Sequence, residues 1–200
     1  MKTPERSKLI EEIYEKFRVP KHVIAHMQGV KRVAEKLADK LIEKGEKIDK
    51  KLLLTAALIH DALRVCDFRE FDINHFHEEV RDEDLKIWEG LQEKYGKIGH
   101  EKAMSQVLTK MGETQLANII EKHDFWRIDD LETWEEKILY YADKRVDGAK
   151  IVTLEKRFEE GTKRNGRPGE DNELRKAVEA KIYKLEKEIN ISIPKDRTRK

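Results

Sequence analysis

The chain has 200 residues, 42% of them charged, yet 42 Lys and Arg stand against 41 Asp and Glu and leave a formal net charge of +1. A chain of this length can bury a core without staples, and its near-neutral balance excludes a nucleic-acid groove built on bulk positive charge. A single cysteine, Cys66, excludes an intramolecular disulfide, and no run approaches the roughly 18 apolar residues of a membrane span. The opening MKTPERSKLI lacks the apolar stretch of a signal peptide, so a cytoplasmic protein with no membrane partner is expected.

Nearly every long stretch reads at the helical period. Leu9, Ile10, Ile13 and Phe17 form a first stripe that stops before Pro20. Val23, Met27, Val30, Ala34, Leu37 and Leu41 line one face of a long second helix. Asp49 offers an N-cap to a third, through Leu52, Leu53, Leu54, Ala56, Ala57, Leu58 and Ile59, which is apolar almost all round and therefore belongs at the centre. The segment 64–99 is the least regular, with a loop around Phe71 to Glu79 and a helix from Asp84 to Tyr95. Amphipathic segments follow at His100 to Met111, Thr114 to His123 and Thr133 to Phe158. GTKRNGRPGE, from Gly161 to Glu170, reads as a basic glycine-rich break before a last helix marked by Leu174, Val178, Ile182, Leu185 and Ile189. No strand pattern competes, so the expected class is all-α, a globular helical bundle, with one domain over 5–160 and a loop-plus-helix extension over 161–200.

The chemistry is sought among polar residues on core-facing positions, because a buried ionisable group is costly unless it is paired or binds a metal. His60 and Asp61 follow the most apolar helix. His26 lies one turn before Val30, His100 shares a face with Ala103, Met104 and Val107, and His123 lies on the stripe of Leu116, Ile119 and Ile120. Asp143 lies between Leu139 and Val146. Four of the seven histidines thus point inward with two aspartates. One such histidine is ordinarily a hydrogen-bonded core residue; several converging would leave too many imidazoles in need of partners, a need that a divalent cation meets.

The ordered set His26, His60-Asp61, His100, His123, Asp143 resembles the HD-domain superfamily of metal-dependent phosphohydrolases. The resemblance is carried by AHMQGVKRVAEKLA around His26, LLLTAALIHDALR around the doublet and KILYYADKRV around Asp143, and it spans roughly residues 20 to 150. GHEKAMSQVL and IIEKHD are similar to the extra histidine segments of a dinuclear branch that includes dinucleoside-tetraphosphate hydrolases. The resemblance implies an HD-type bundle and a first metal held by His26, His60, Asp61 and Asp143. It implies a second held by His100 and His123, with Asp61 between the two and indispensable to catalysis. One or two divalent ions are expected, of manganese, iron, cobalt, nickel or zinc. The expected reaction is hydrolysis of a phosphoester or phosphoanhydride of a small phosphorylated molecule, a nucleotide, with no nucleic-acid polymer as partner. Two other readings stand beside it: a di-iron oxygenase on the same ligands, and a binding module whose catalysis is vestigial.

Nucleotide monophosphatases of the superfamily often carry a Glu three residues after the doublet's Asp, and here that place holds Arg64. A cation there would face substrate phosphate, and Lys144 and Arg145 are the next candidates for that role, set against a solvated helix face. His75 and His77 read as loop residues at the mouth of a pocket, His22 as a helix start without a role, and Asp124 as peripheral. Lys163, Arg164 and Arg167 read as a solvated connection that could also close over a polyphosphate. Trp88, Trp126 and Trp134 read as packing, with Trp126 close enough to His123 to stack a base at a pocket rim. Apolar residues left on the last helix could pair two chains as a homodimer.

Overall fold

A computed structural model describes residues 3–68, 76, 79–165 and 172–189. These residues form an all-α helical bundle, and no helix among them is long and apolar enough to cross a membrane. Helix α1 (Thr3–Phe17) leads through Pro20 into α2 (Lys21–Glu43), whose start suits the fixed φ of proline, here −61°. The Asp49 side chain caps α3 (Lys50–Ile59) by accepting from the Leu52 N–H at 2.9 Å. A short 3-10 turn at Arg64–Asp67 precedes α4 (Asp82–Tyr95), and α5 (His100–Lys110) and α6 (Thr114–Glu121) form an antiparallel pair. A second 3-10 segment at Phe125–Asp130 leads to α7 (Trp134–Asp143). A capping box starts α7: Thr133 Oγ1 accepts from the Glu136 N–H, and the Glu136 carboxylate accepts from the Thr133 N–H.

Helix α3 is the hub, packed against α1, α2, α6 and α7. Leu53, Ala56, Ala57 and Ile59 are fully buried in it, which is the central position its all-round apolar sequence called for. Ile13, Met27, Val30, Leu37, Leu116, Ile120, Ile138 and Leu139 are among the fully buried residues around it.

The segment expected as one helix from Thr133 to Phe158 is three elements. Helix α7 stops at Asp143, an antiparallel hairpin pairs β1 (Val146–Asp147) with β2 (Lys150–Ile151), and α8 (Leu154–Asn165) follows. Gly148 makes the turn at φ +56°, a conformation that favours glycine. A two-residue strand is too short to leave an alternating pattern, so the helical period ran visually across it. The glycine-rich break also starts later than expected, since α8 continues through Gly161, while 166–171 lie outside the described residues. Helix α9 (Asn172–Ile189) packs on α7 and on the second 3-10 segment. The expected loop at 71–79 also falls largely outside the described residues, His75 and His77 included.

Candidate metal centre

The C-terminal ends of α3, α6 and α7 meet. His60 and Asp61 directly follow α3, His123 follows α6 by two residues, and Asp143 is the last residue of α7. His26 comes from the first half of α2, and His100 is the first residue of α5. Helix C-termini present unpaired carbonyls and partial negative charge, so the meeting point favours a cation before any side chain is counted.

The same loose carbonyls orient two of the imidazoles. His60 Nδ1 donates to Ala57 O at 2.9 Å, and His123 Nδ1 donates to Ile120 O at 2.5 Å, each three residues back in the last turn of its own helix. These bonds fix the tautomer and turn each Nε2 lone pair inward. Both Nε2 atoms are buried and have no hydrogen-bond partner among the described residues. They face carboxylates: His60 Nε2 lies 3.7 Å from Asp61 Oδ1 and 3.8 Å from Asp143 Oδ1, and His123 Nε2 lies 3.4 Å from Asp61 Oδ1. A lone pair turned on an anion in a dry interior calls for something positive between them.

His26 and His100 repeat the device. His26 Nδ1 is 3.1 Å from Gly148 O, which leaves Nε2 3.0 Å from Asp143 Oδ1 and 3.7 Å from Asp61 Oδ2. The hairpin reaches α2 because residue 29, one turn past His26, is glycine: a Cβ there would meet Val146 Cγ1 at 2.9 Å. His100 Nδ1 sits 2.5 Å from Asp67 Oδ2 and 3.2 Å from Glu101 Oε2, while its Nε2 is 2.9 Å from Asp61 Oδ1. A neutral imidazole has one N–H, so neither ring can serve both of its acceptors without a proton or a cation. Asp61 therefore reaches His26, His60, His100 and His123, and Asp143 reaches His26 and His60.

The electrostatics agree with the geometry. Burial lowers the His60 pKa. Burial alone would raise both carboxyls, yet His60 and His100 hold Asp61, and Lys144 and His26 hold Asp143, well below the usual carboxylate range. For His100, burial and Arg64 act downward, but Asp61 and Asp67 outweigh them and raise it to about 9. In the metal-free chain the positive charge this cluster demands is thus carried by protons.

Among the described residues, three sets of donor atoms lie close enough to share an ion: His26 with His60 and Asp143, His60 with Asp61 and His123, and His100 with Glu101 and His123. Imidazoles and carboxylates of this kind suit first-row divalent ions. Glu101, Asp67 and the three orienting carbonyls had no sequence signal as site residues. Glu101 and Asp67 could have been flagged only by their closeness to His100 and Arg64 in chain order, and a carbonyl leaves no trace in the side-chain pattern.

The cluster opens on a cavity of about 890 Å³, lined among others by His26, Asp61, Arg64, His123, Asp143 and Lys144. Arg64 Nη1 stands 3.2 Å from His100 Nε2, with the side chain about one-third exposed (37%). Lys144 is at the cavity but committed, donating to His123 O at 2.7 Å and Asp143 Oδ2 at 3.1 Å. Arg145 is turned away, bonded to Val152 O, Tyr141 and Glu186, and does not line the cavity. His22 and Asp124, which the sequence left without a role, both line it. So does Trp126, 44% exposed, whereas Trp88 is buried and Trp134 is bonded to Glu46. Lys163 pairs with Glu159 and Glu160 on α8.

Fold and site together define a helical protein with a buried histidine–aspartate cluster that could hold a metal ion. The family model for the HD domain matches residues 23–189, and the chain belongs to that family, whose members are generally metal-dependent phosphohydrolases that bind divalent metals. No curated protein and no solved structure matches the chain.

Proposed function

We propose that this chain hydrolyses a phosphoester or phosphoanhydride of a small phosphorylated molecule, a nucleotide, using a pair of divalent metal ions. The observation that carries the reading is the pair of buried, unpartnered Nε2 atoms of His60 and His123, pre-oriented by backbone carbonyls toward two carboxylates. His26, His60, Asp61 and Asp143 would hold one ion; His100 and His123 would hold the second, with Asp61 reaching toward both. When bound, such ions polarise a phosphoryl oxygen and lower the pKa of water.

The chain's own residues do the rest. Asp61 stays anionic at the centre of the cluster because its neighbours hold its pKa down. The backbone carbonyls and Asp67 keep the imidazoles in the ligating tautomer. Arg64, partly exposed at the cavity, offers a planar fork to a phosphate oxygen. Lys144 acts at one remove, bracing Asp143 against the backbone of His123. The exposed face of Trp126, beside Phe125 in the cavity wall, supports a nucleobase as the apolar part of the substrate.

The test is Asp61→Ala, assayed for retained metal by elemental analysis and for phosphate release from nucleotides. Loss of both is expected; turnover retained in that variant would sink the reading.

A further inference from the structure

Arg157 on α8 lies in the wall of the cavity that holds the metal centre. Its Nε is buried and unpartnered, and its guanidinium has no hydrogen bond or ion pair among the described residues. A buried guanidinium N–H needs an acceptor, and none of the described residues supplies one to this Nε. Phe158 and Gly161 share the wall, Gly161 one turn further along α8. Arg175 of α9 reaches this stretch of α8, its Nη2 3.5 Å from where a Cβ on Gly161 would stand, an ordinary contact. Arg175 also lines the cavity, and it differs from Arg157 in being countered: Glu179 lies 3.3 Å from its Nε and the Phe125 ring 5.2 Å from its guanidinium carbon.

Two guanidiniums thus line the cavity onto which a cluster built for cations opens, and Arg157 is near enough to act electrostatically on His26 of that cluster. Like charges held this way favour an anion, and a guanidinium binds phosphate oxygens as a planar fork. The cavity, at about 890 Å³, falls within the range of small-ligand sites and has room for more than one phosphate.

We infer that Arg157, supported by Arg175, forms a second anion subsite that binds a phosphate of the substrate other than the one held at the metal centre. The inference rests on the phosphohydrolase reading for its choice of anion and narrows that reading: the substrate carries at least two anionic groups, and a monophosphate leaves Arg157 idle. The C-terminal helices α8 and α9 then select the substrate, while α2, α3, α5, α6 and α7 carry the chemistry.

The test is calorimetric titration of the purified chain with inorganic tripolyphosphate and, separately, with inorganic phosphate, for the wild type, Arg157→Gln and Arg157→Lys. Arg157→Gln should weaken tripolyphosphate roughly ten- to a hundredfold, the range of one lost charge-assisted hydrogen bond, and leave phosphate unchanged. Arg157→Lys should fall between, keeping the charge without the fork, and it carries the test if the Gln variant does not fold. Tripolyphosphate binding that is absent in the wild type, or equal in all three proteins, overturns the inference. Arg157-dependent binding with no hydrolysis of any phosphate ester would instead uphold the subsite and sink the catalytic reading.

Discussion

Replacing Asp67 with alanine separates the two halves of the candidate centre. The Asp67 carboxylate touches one ligand, His100, through Nδ1 at 2.5 Å; its other ion pair, among the described residues, is with Arg64. Loss of a carboxylate that orients a ligating imidazole costs about 10- to 100-fold in metal affinity, or about 1.4–2.7 kcal/mol. Asp67→Ala should therefore weaken one class of metal site by that factor and leave the other within about twofold. Proton competition modifies the size of the effect with pH. Asp67 helps raise His100 to about 9, so its removal also weakens the proton's hold on the metal-free ring. That partly offsets the loss at neutral pH, and the net deficit grows as pH rises toward 9, where wild-type His100 is already half deprotonated. The assay is competition with a chelating indicator, fitted to two classes of site at two pH values. Equal weakening of both classes, or of neither, would refute the reasoning.

Metal affinity itself should climb with pH. Metal displaces the proton from His100, which burial and Arg64 push down but Asp61 and Asp67 lift to about 9, so the second site should tighten by about tenfold per pH unit up to that value and level off above it. A pH-independent affinity between 6.5 and 8.5, read by the same chelator competition at roughly 25 °C, would contradict this. Cys66 is predicted to be inert: burial, with Asp67 beside it, pushes its thiol up to about 12, and only 4% of the residue is exposed. A disulfide reagent at mildly alkaline pH should label it only after denaturation, and fast labelling of the native chain would show that the 3-10 turn at Arg64–Asp67 opens.

Much of the fold could be read because the helices bury one continuous stripe each. Met27, Val30, Ala34 and Leu37 are all fully buried, as their spacing requires, and the apolar α3 sits where such a helix must. The hairpin was hidden because Val146–Ile151 needs only four paired residues and one glycine at positive φ. For the candidate site, periodicity gave the direction of each ligand from its own helix but not the distances between helices. Asp67 and Glu101 lie on a 3-10 turn and at a helix start, where no period applies, and the Ala57, Ile120 and Gly148 carbonyls have no side-chain identity to read. Arg157 looked like any cation on an amphipathic helix; its distinction is the lack of a partner, which is a property of the packed chain.

The measurement that tests the account most directly is metal content per chain, by elemental analysis of protein purified without chelator or affinity-tag metal and reconstituted with manganese or iron. The account predicts about two equivalents, falling to about one in Asp67→Ala at limiting metal. No metal retained under any of these conditions would mean that the inward Nε2 atoms of His60 and His123 are satisfied some other way, and the proposed centre would not exist.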